Sequence, residues 1–130
     1  MAPPKWLTRI AIDAIHLDQL REHGGIHGMR DEAALEAALR RPVSKWETDE
    51  ERPDLARLGA EYGHAIATDR PYRDGNTRVA FLAMAMFLEM NGRTVSGSEE
   101  EVLVGMMALA DGHLSRKKLA VWIREKLSPD

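Results

Sequence analysis

Apolar residues recur mostly every three or four positions along the chain, the spacing of an amphipathic α-helix. Runs of β-branched residues are nearly absent, and the good helix formers Ala, Leu, Met, Glu and Arg dominate. The pattern predicts an all-α protein, a compact bundle of about six helices separated by Gly, Pro and polar segments. We expect one domain over residues 1–130, since this length suits a single hydrophobic core.

The first half of the chain predicts two helices and a loop. The first helix covers residues 10–22 and ends at a pair of glycines. A second, shorter helix covers residues 31–39 and stops because Pro42 interrupts the pattern. The polar segment 41–52 then predicts a mobile loop, and Trp46 within it is expected near the surface.

The second half predicts four more helices. Residues 53–68 form the third, with Pro53 in its first turn, and residues 77–90, apolar almost all round, form a buried fourth. Ser98 followed three residues later by Glu is a capping box that opens a fifth helix to residue 110. Residues 115–127 form the sixth, and the methionines of helices four and five, Met107 among them, are expected to fill the core.

Composition and charge exclude several classes of protein. Hydrophobic residues make up 44% and charged residues 30%, a globular balance, and a formal net charge of −3 disfavours nonspecific nucleic-acid binding. The absence of cysteine excludes a disulfide framework and a thiolate zinc site. No signal peptide is recognisable and no apolar run approaches the ~20 residues of a membrane span. We expect a soluble cytoplasmic protein without a membrane or nucleic-acid partner.

The decapeptide DRPYRDGNTR, residues 69–78, lies directly before the most apolar helix. The first N–H groups of that helix carry roughly half a positive charge, so an anion fits there. Gly75 permits a close backbone approach, Asn76 can cap the helix or bond a phosphate oxygen, and Arg78 offers a bidentate fork. Asp74 supplies one hard oxygen ligand, the usual way Mg²⁺ is held together with waters and phosphates.

The same residues also fit a plain structural turn. Asp-Gly-Asn is a common turn sequence, Asn is a common cap, and an arginine in a first turn is usually solvated. Two observations favour the anion site. Arg78 opposes the helix dipole, which suits anion binding better than stability, and the turn sits on a rigid buried helix.

Residues 70–78 resemble the signature of the Fic/Doc (Fido) family, H-P-F-x-[DE]-G-N-x-R. The matching residues are Pro71, Asp74, Gly75, Asn76 and Arg78, and Tyr72 stands for the Phe. The likeness to the Doc (death-on-curing) branch extends along the chain, through AIHLDQLREHGGIHGMRDEAALEAAL, FLEMNG and LADGHLSRKKLAVWI.

The resemblance implies a helical bundle with its active site at this loop. It implies that Asp74 holds Mg²⁺, that the Gly75–Asn76 turn, Arg78 and the helix start bind the phosphates of ATP, and that Pro71 and Tyr72 anchor the loop. Most relatives transfer a nucleotide monophosphate. The Doc branch transfers phosphate to a translation elongation factor, and its toxins pair with a Phd-like antitoxin whose C-terminal segment covers the site.

One departure from the family pattern affects catalysis. Arg70 stands where the family has its catalytic His, and a guanidinium stays protonated, so it cannot act as the general base toward a hydroxyl. His64, six residues upstream, is expected to be a packed or capping side chain, and the remaining histidines fall outside the motif. General-base work is typically worth about 10² to 10⁴ in rate, so we expect a weak or inactive catalyst that still binds nucleotide.

Several alternatives stay open. Arg70 is either a natural loss, which would leave a noncatalytic partner-binding module, or an inactivating change in a toxin, which we favour because the rest of the motif is intact. Thr77 stands where Doc relatives often carry Lys, which leaves nucleotide transfer open beside phosphate transfer, although Arg73 could partly compensate. The segment 24–46 would border the site as a flap, and its basic residues could meet an acidic target or antitoxin.

Overall fold

The computed structural model describes residues 2–128, and in that part of the chain all regular structure is helical apart from two isolated β-bridges. The prediction of an all-α bundle is confirmed. The six helices are α1 (Arg9–His23), α2 (Glu32–Thr48), α3 (Leu55–Asp69), α4 (Asn76–Met90), α5 (Glu99–Ala110) and α6 (Arg116–Lys126). Over residues 2–128, no helix is both long and apolar enough to cross a bilayer.

Helices α3 and α4 form the centre of the bundle. α3 packs against α2, α4 and α6, while α1 and α5 also contact α4. The two central helices approach closely because α3 has a glycine at the contact: a Cβ atom at Gly63 would lie 2.6 Å from Cγ of Met84. The start of α4, where the decapeptide ends, is therefore fixed on the most buried part of the protein.

Helix α2 is longer than the sequence indicated. It runs through the buried Pro42 to Thr48, so the prediction of a helix that ends at residue 39 and of a loop from residue 41 is wrong. A proline inside a helix removes one backbone hydrogen bond. Continuing the helix buries Pro42 and Trp46 against the core, which offsets that loss.

The expected surface position of Trp46 is also wrong, since its side chain is only 8% exposed. The guanidinium of Arg52 lies 4.9 Å from the centre of the Trp46 ring and donates a hydrogen bond to the Trp46 carbonyl. Polar neighbours in sequence thus cover the indole instead of exposing it, as a long cationic side chain can.

Most helix starts carry the caps that the sequence suggests. Ser98 and Glu101 form the predicted capping box of α5, and the side chain of Ser115 caps α6. For α3 the prediction is off by two residues. Asp54 is the cap, accepting the N–H of Arg57 at 2.9 Å, and Pro53 lies before the helix instead of in its first turn.

The cap of α3 is also an ion pair, which leads to a pH-dependent prediction. Arg124 donates Nε to Oδ2 of Asp54 at 2.6 Å and Nη2 to Oδ1 at 3.1 Å. These bonds, with that from the Arg57 backbone, lower the pKa of Asp54 below its ordinary value of 3.8. Asp54→Asn keeps a capping oxygen and loses the charge, so we expect it to reduce the free energy of unfolding at pH 7 by up to about 1 kcal/mol.

The sign of the pH effect follows from the lowered pKa. The ion pair stabilises the fold above pH 3.8, and this stabilisation is lost as the pH falls through the folded-state pKa. Urea unfolding of wild type and Asp54→Asn at pH 7 and at about pH 3 should show a difference in the free energy of unfolding that becomes smaller at the acidic pH. A difference of equal size at both pH values would mean that the Asp54 charge is not its cause.

Candidate functional site

The decapeptide forms one wall of a groove between α4 and α5. The groove has a volume of about 320 Å³. Its lining residues are Arg70, Asp74, Gly75, Asn76, Thr77, Arg78, Leu103, Met106, Met107 and Ala110. The fold therefore brings six of the residues singled out in the sequence to one place, opposite an apolar wall from α5. Arg73 is exposed outside this lining, and Pro71 and Tyr72 are buried beneath the loop.

The Asp74 carboxylate is held by two backbone donors. Oδ2 accepts the N–H of Ile26 at 3.1 Å and Oδ1 accepts the N–H of Gly75 at 2.9 Å. These two bonds, and then the charges of Arg70 and Arg78, lower the pKa of Asp74, so the carboxylate is ionised at neutral pH. A carboxylate has about four lone-pair sites, so two donors leave it able to coordinate a cation.

The start of α4 carries N–H groups that no side chain caps. Gly75 is the cap residue, in a left-handed conformation with φ 77°, and makes no side-chain bond. The first intrahelical bond runs from the N–H of Val79 to the carbonyl of Gly75 at 3.0 Å. The N–H groups of residues 76–78 precede that bond, so the helix has no carbonyl of its own for them.

The sequence allows Asn76 either to cap the helix or to bond a phosphate oxygen, and the structure excludes the cap. Asn76 is the first residue of α4, it is only 2% exposed, and the expectation that it caps the helix is wrong. Its Oδ1 accepts the N–H of Tyr72 and its Nδ2 donates to the Tyr72 carbonyl, both at 2.9 Å. The amide side chain thereby closes the loop between Tyr72 and the helix. Because both of its polar atoms are already bonded there, Asn76 offers its backbone N–H to an anion.

Arg70 ends α3 in a conformation that few residues with side chains adopt. With φ 49° and ψ 62°, it is in the left-handed region, which costs an L-residue roughly 1–2 kcal/mol. Arg30 compensates by donating Nε to the Arg70 carbonyl at 2.6 Å and Nη2 to that of Asp69. The Arg70 side chain is exposed and shares the groove with Arg78, so two guanidinium groups face the same space.

The segment before α2 borders the loop, as expected of a flap. The carbonyl of Pro71 accepts the N–H groups of Arg30 and Asp31 at 2.8 and 2.9 Å, and Arg73 donates its N–H to the Gly28 carbonyl at 3.0 Å. A Cβ atom at Gly25 would lie 2.8 Å from Oδ2 of Asp74, so only glycine permits this approach.

Two of the flap's basic side chains already have partners within the chain. Arg30 is bonded to the end of α3, and Lys45 pairs with Asp49 at 2.7 Å. The ion pair offsets the charge of Lys45, whereas Arg30 keeps its charge but has its Nε and Nη2 donors occupied by backbone carbonyls. Arg40 and Arg41, which lie on α2 with Lys45, are exposed.

His64 does not take the place of the missing histidine. It lies on α3 outside the groove lining, and burial, with the charges of Arg116 and Arg41, lowers its pKa. Its Nδ1 is buried without a hydrogen-bond partner in the described part of the chain. The expectation of a packed side chain agrees with this position.

Sequence reasoning missed His16, which contacts the motif loop from α1. Its ring stacks on Tyr72 with centroids 3.8 Å apart and planes 13° apart, and its Nε2 lies 3.1 Å from the Asp74 carbonyl. Burial lowers the pKa of His16, so the neutral ring donates from Nε2. One signal was available: Ile12, Ile15, His16 and Leu20 share the buried face of α1, and His is the polar member.

Comparison with known proteins agrees with the motif. A model of the Fic/DOC family matches residues 6–88 of this chain, from before α1 to the last turns of α4. The chain belongs to the Fic/Doc family. Within it, the Doc branch is indicated by similarity to a protein kinase named Doc from Escherichia phage P1, 33% identical over 113 residues that cover 85% of this chain and 86% of that protein.

The Fic/Doc match ends before α5, which forms the apolar side of the groove. Met107 is 57% exposed there, so its expected place in the core is wrong, and Leu103 is exposed to the same extent. The polar half of the groove therefore lies within the family match, while its apolar half, on α5, lies outside it.

The donor set suits a metal-bound phosphate better than a metal held by protein alone. Over residues 2–128, no three His, Asp or Glu side chains cluster as metal ligands. Mg²⁺ is commonly bound by one or two carboxylates plus waters and substrate phosphates, and Asp74 beside two arginines and an uncapped helix start fits that arrangement.

Proposed function

We propose that this protein is a Doc-like toxin of a toxin–antitoxin system, whose chemistry is Mg²⁺-dependent transfer of phosphate from ATP to a Ser or Thr hydroxyl of a translation protein. The observation that carries the proposal is the groove in which an ionised Asp74, the uncapped start of α4 and two arginines meet. Membership of the Fic/Doc family and the kinase name of the phage relative support it.

In this proposal the polar residues of the loop share the binding of the metal and the phosphates. Asp74 holds Mg²⁺, which when bound neutralises charge on the phosphates. The backbone N–H groups of Asn76, Thr77 and Arg78 and the guanidinium of Arg78 bind phosphate oxygens. Tyr72, buried with Pro71, anchors the loop. Arg73 lies outside the groove lining, which argues against it as the substitute for a Lys at position 77.

Arg70 leaves the reaction without its general base. Its guanidinium keeps its proton at any usable pH and can bind a phosphate, yet it cannot take a proton from the target hydroxyl. We therefore expect nucleotide binding with transfer slowed by about 10² to 10⁴ relative to a chain with His at this position.

The partners follow from the same proposal. The substrate protein is a translation elongation factor, and a Phd-like antitoxin covers the groove with its C-terminal segment. Both would meet the exposed guanidinium groups of Arg70 and Arg78 and the exposed apolar side chains of α5. ATP and the translation machinery place the protein in the cytoplasm.

Two other functions have an observation in their favour. Arg70 stands at the position of the general base and adds a second guanidinium beside Arg78. Catalysis needs a neutral base at this position, so the added positive charge suits a noncatalytic module that binds an acidic partner segment. Thr77 instead of Lys suits transfer of a nucleotide monophosphate.

The binding half of the proposal is tested by calorimetric titration of ATP with and without Mg²⁺. We expect wild type to bind ATP only with Mg²⁺, and Arg78→Ala to weaken binding about 10-fold to 100-fold, the value of a charge-assisted hydrogen bond of about 1.5–3 kcal/mol. Asp74→Ala should lose the ATP binding that depends on Mg²⁺, so that adding Mg²⁺ no longer promotes binding.

Arg73→Ala is the matched control, because Arg73 is exposed on the same loop but outside the groove lining. We expect it to bind ATP as wild type does. A wild-type protein that binds no ATP at any Mg²⁺ concentration would refute the enzyme-derived site and favour the partner-binding module.

A further inference from the structure

His16 touches the motif loop at two points. Its imidazole covers the face of Tyr72, and Nε2 lies 3.1 Å from the backbone oxygen of Asp74. A carbonyl oxygen only accepts, so Nε2 carries the proton. The side chain is 7% exposed, and its Cδ2 lies 4.0 Å from where a Cβ atom of Gly75 would be. The contact is therefore a closed one beneath the loop.

The bond from His16 acts on a single rigid unit. The Asp74 carbonyl and the Gly75 N–H belong to one planar peptide group, so they rotate together. That same N–H donates to Oδ1 of Asp74 at 2.9 Å. Rotating this peptide would break the bond from His16. It would also free the Asp74 carboxylate from the Gly75 N–H and move Gly75, the residue directly before α4.

The rest of the loop is also restrained by hydrogen bonds in which His16 takes no part. The hydroxyl of Tyr72 donates to Oδ1 of Asp13 at 2.8 Å, and the Tyr72 backbone is bonded twice by Asn76. The other Asp74 oxygen is held by the N–H of Ile26. The bond from His16 therefore ties the orientation of the Asp74–Gly75 peptide to α1.

We propose that His16 is a positioning residue of the metal and phosphate site. Its Nε2–H fixes the Asp74–Gly75 peptide, and through it the direction of the Asp74 carboxylate and of the α4 start toward the groove. The role rests on the proposed function, since it presumes that Mg²⁺ and phosphate bind there. Groups that orient a metal ligand typically change metal affinity by about 10-fold to 100-fold when removed.

Two substitutions separate the hydrogen bond from the stacking. His16→Phe keeps a flat ring against Tyr72 and removes the donor, whereas His16→Gln keeps an N–H donor and removes the ring. We expect His16→Phe to weaken Mn²⁺–ATP binding by about 10-fold to 100-fold and His16→Gln to recover part of that loss. Affinity is measured by electron paramagnetic resonance with Mn²⁺ as the probe, beside the thermal midpoint of each variant. His113→Phe, on an exposed loop histidine, is the control.

A merely structural role for the ring would give the reverse order, with His16→Gln the weaker binder and His16→Phe close to wild type, and that result would overturn the proposal.

Amide hydrogen exchange at Gly75 is a readout that needs no ligand. Positioning predicts exchange at least about 10-fold faster in His16→Phe than in wild type. Unchanged Gly75 exchange in that variant overturns the role of His16, whereas a wild type that fails to bind Mn²⁺–ATP overturns the proposed function instead.

Discussion

Replacing Arg70 with His is expected to raise the rate of group transfer by roughly 10² to 10⁴ and to produce growth arrest on expression, where wild type permits growth. Imidazole can accept the proton of a target hydroxyl, and guanidinium cannot. The backbone tolerates the change, since position 70 is left-handed and His is among the residues enriched there. Arg30 holds this conformation through the carbonyls of residues 69 and 70, which any side chain leaves in place.

Growth curves of cells expressing each variant under a tight promoter measure the effect. Arg70→Asn is the matched control, because it also removes the charge and tolerates the left-handed backbone but supplies no base. Arg70→His combined with Asp74→Asn should permit growth again, and coexpression of a Phd-like antitoxin that binds this protein should do the same. Normal growth with Arg70→His would contradict the enzyme and favour the partner-binding module.

Replacing Phe87 with Ala should have the largest effect on stability, a loss of about 3–5 kcal/mol in the free energy of unfolding. Phe87 is fully buried on α4, with its ring centre 5.1 Å from that of Tyr62 and 6.0 Å from that of Trp6. The substitution leaves a cavity between α3, α4 and the segment before α1. Since domains of this size are typically stable by about 5–15 kcal/mol, the variant would be near the limit of folding.

Urea denaturation followed by circular dichroism measures this loss. Leu82→Ala on the same helix is the control, because Leu82 is 37% exposed and its removal should cost less than about 1 kcal/mol. Equal losses in the two variants would show that the ring cluster of Phe87 does not form the centre of the core.

The helices could be predicted where local signals decide them. The apolar run of α4, the capping box at Ser98 and the glycines after α1 are all properties of neighbouring residues, and each was located within a residue or two. Pro42 was misleading because its local cost is outweighed by burial against the core. That gain depends on contacts with distant residues, which the sequence does not display.

The candidate site divides in the same way. Its polar residues, Asp74 to Arg78, are contiguous and could be identified from their order alone. The N–H of Ile26 on the Asp74 carboxylate, the imidazole of His16 on its carbonyl and the α5 wall come from segments far along the chain. Of these three, only His16 has a sequence signal, as the polar residue on the apolar face of α1. The sequence does not indicate that its partner is the Asp74 carbonyl.

Phosphate transfer is tested by incubating the Arg70→His protein and Mg²⁺ with a cell extract and ATP radiolabelled at either the α- or the γ-phosphate. We predict that one protein acquires label from the γ-phosphate only and gains about 80 Da, the mass of a phosphate group, at a Ser or Thr. Label from the α-phosphate with a gain of about 329 Da would contradict phosphate transfer and identify a nucleotide transferase. No label from either position would contradict transferase activity altogether.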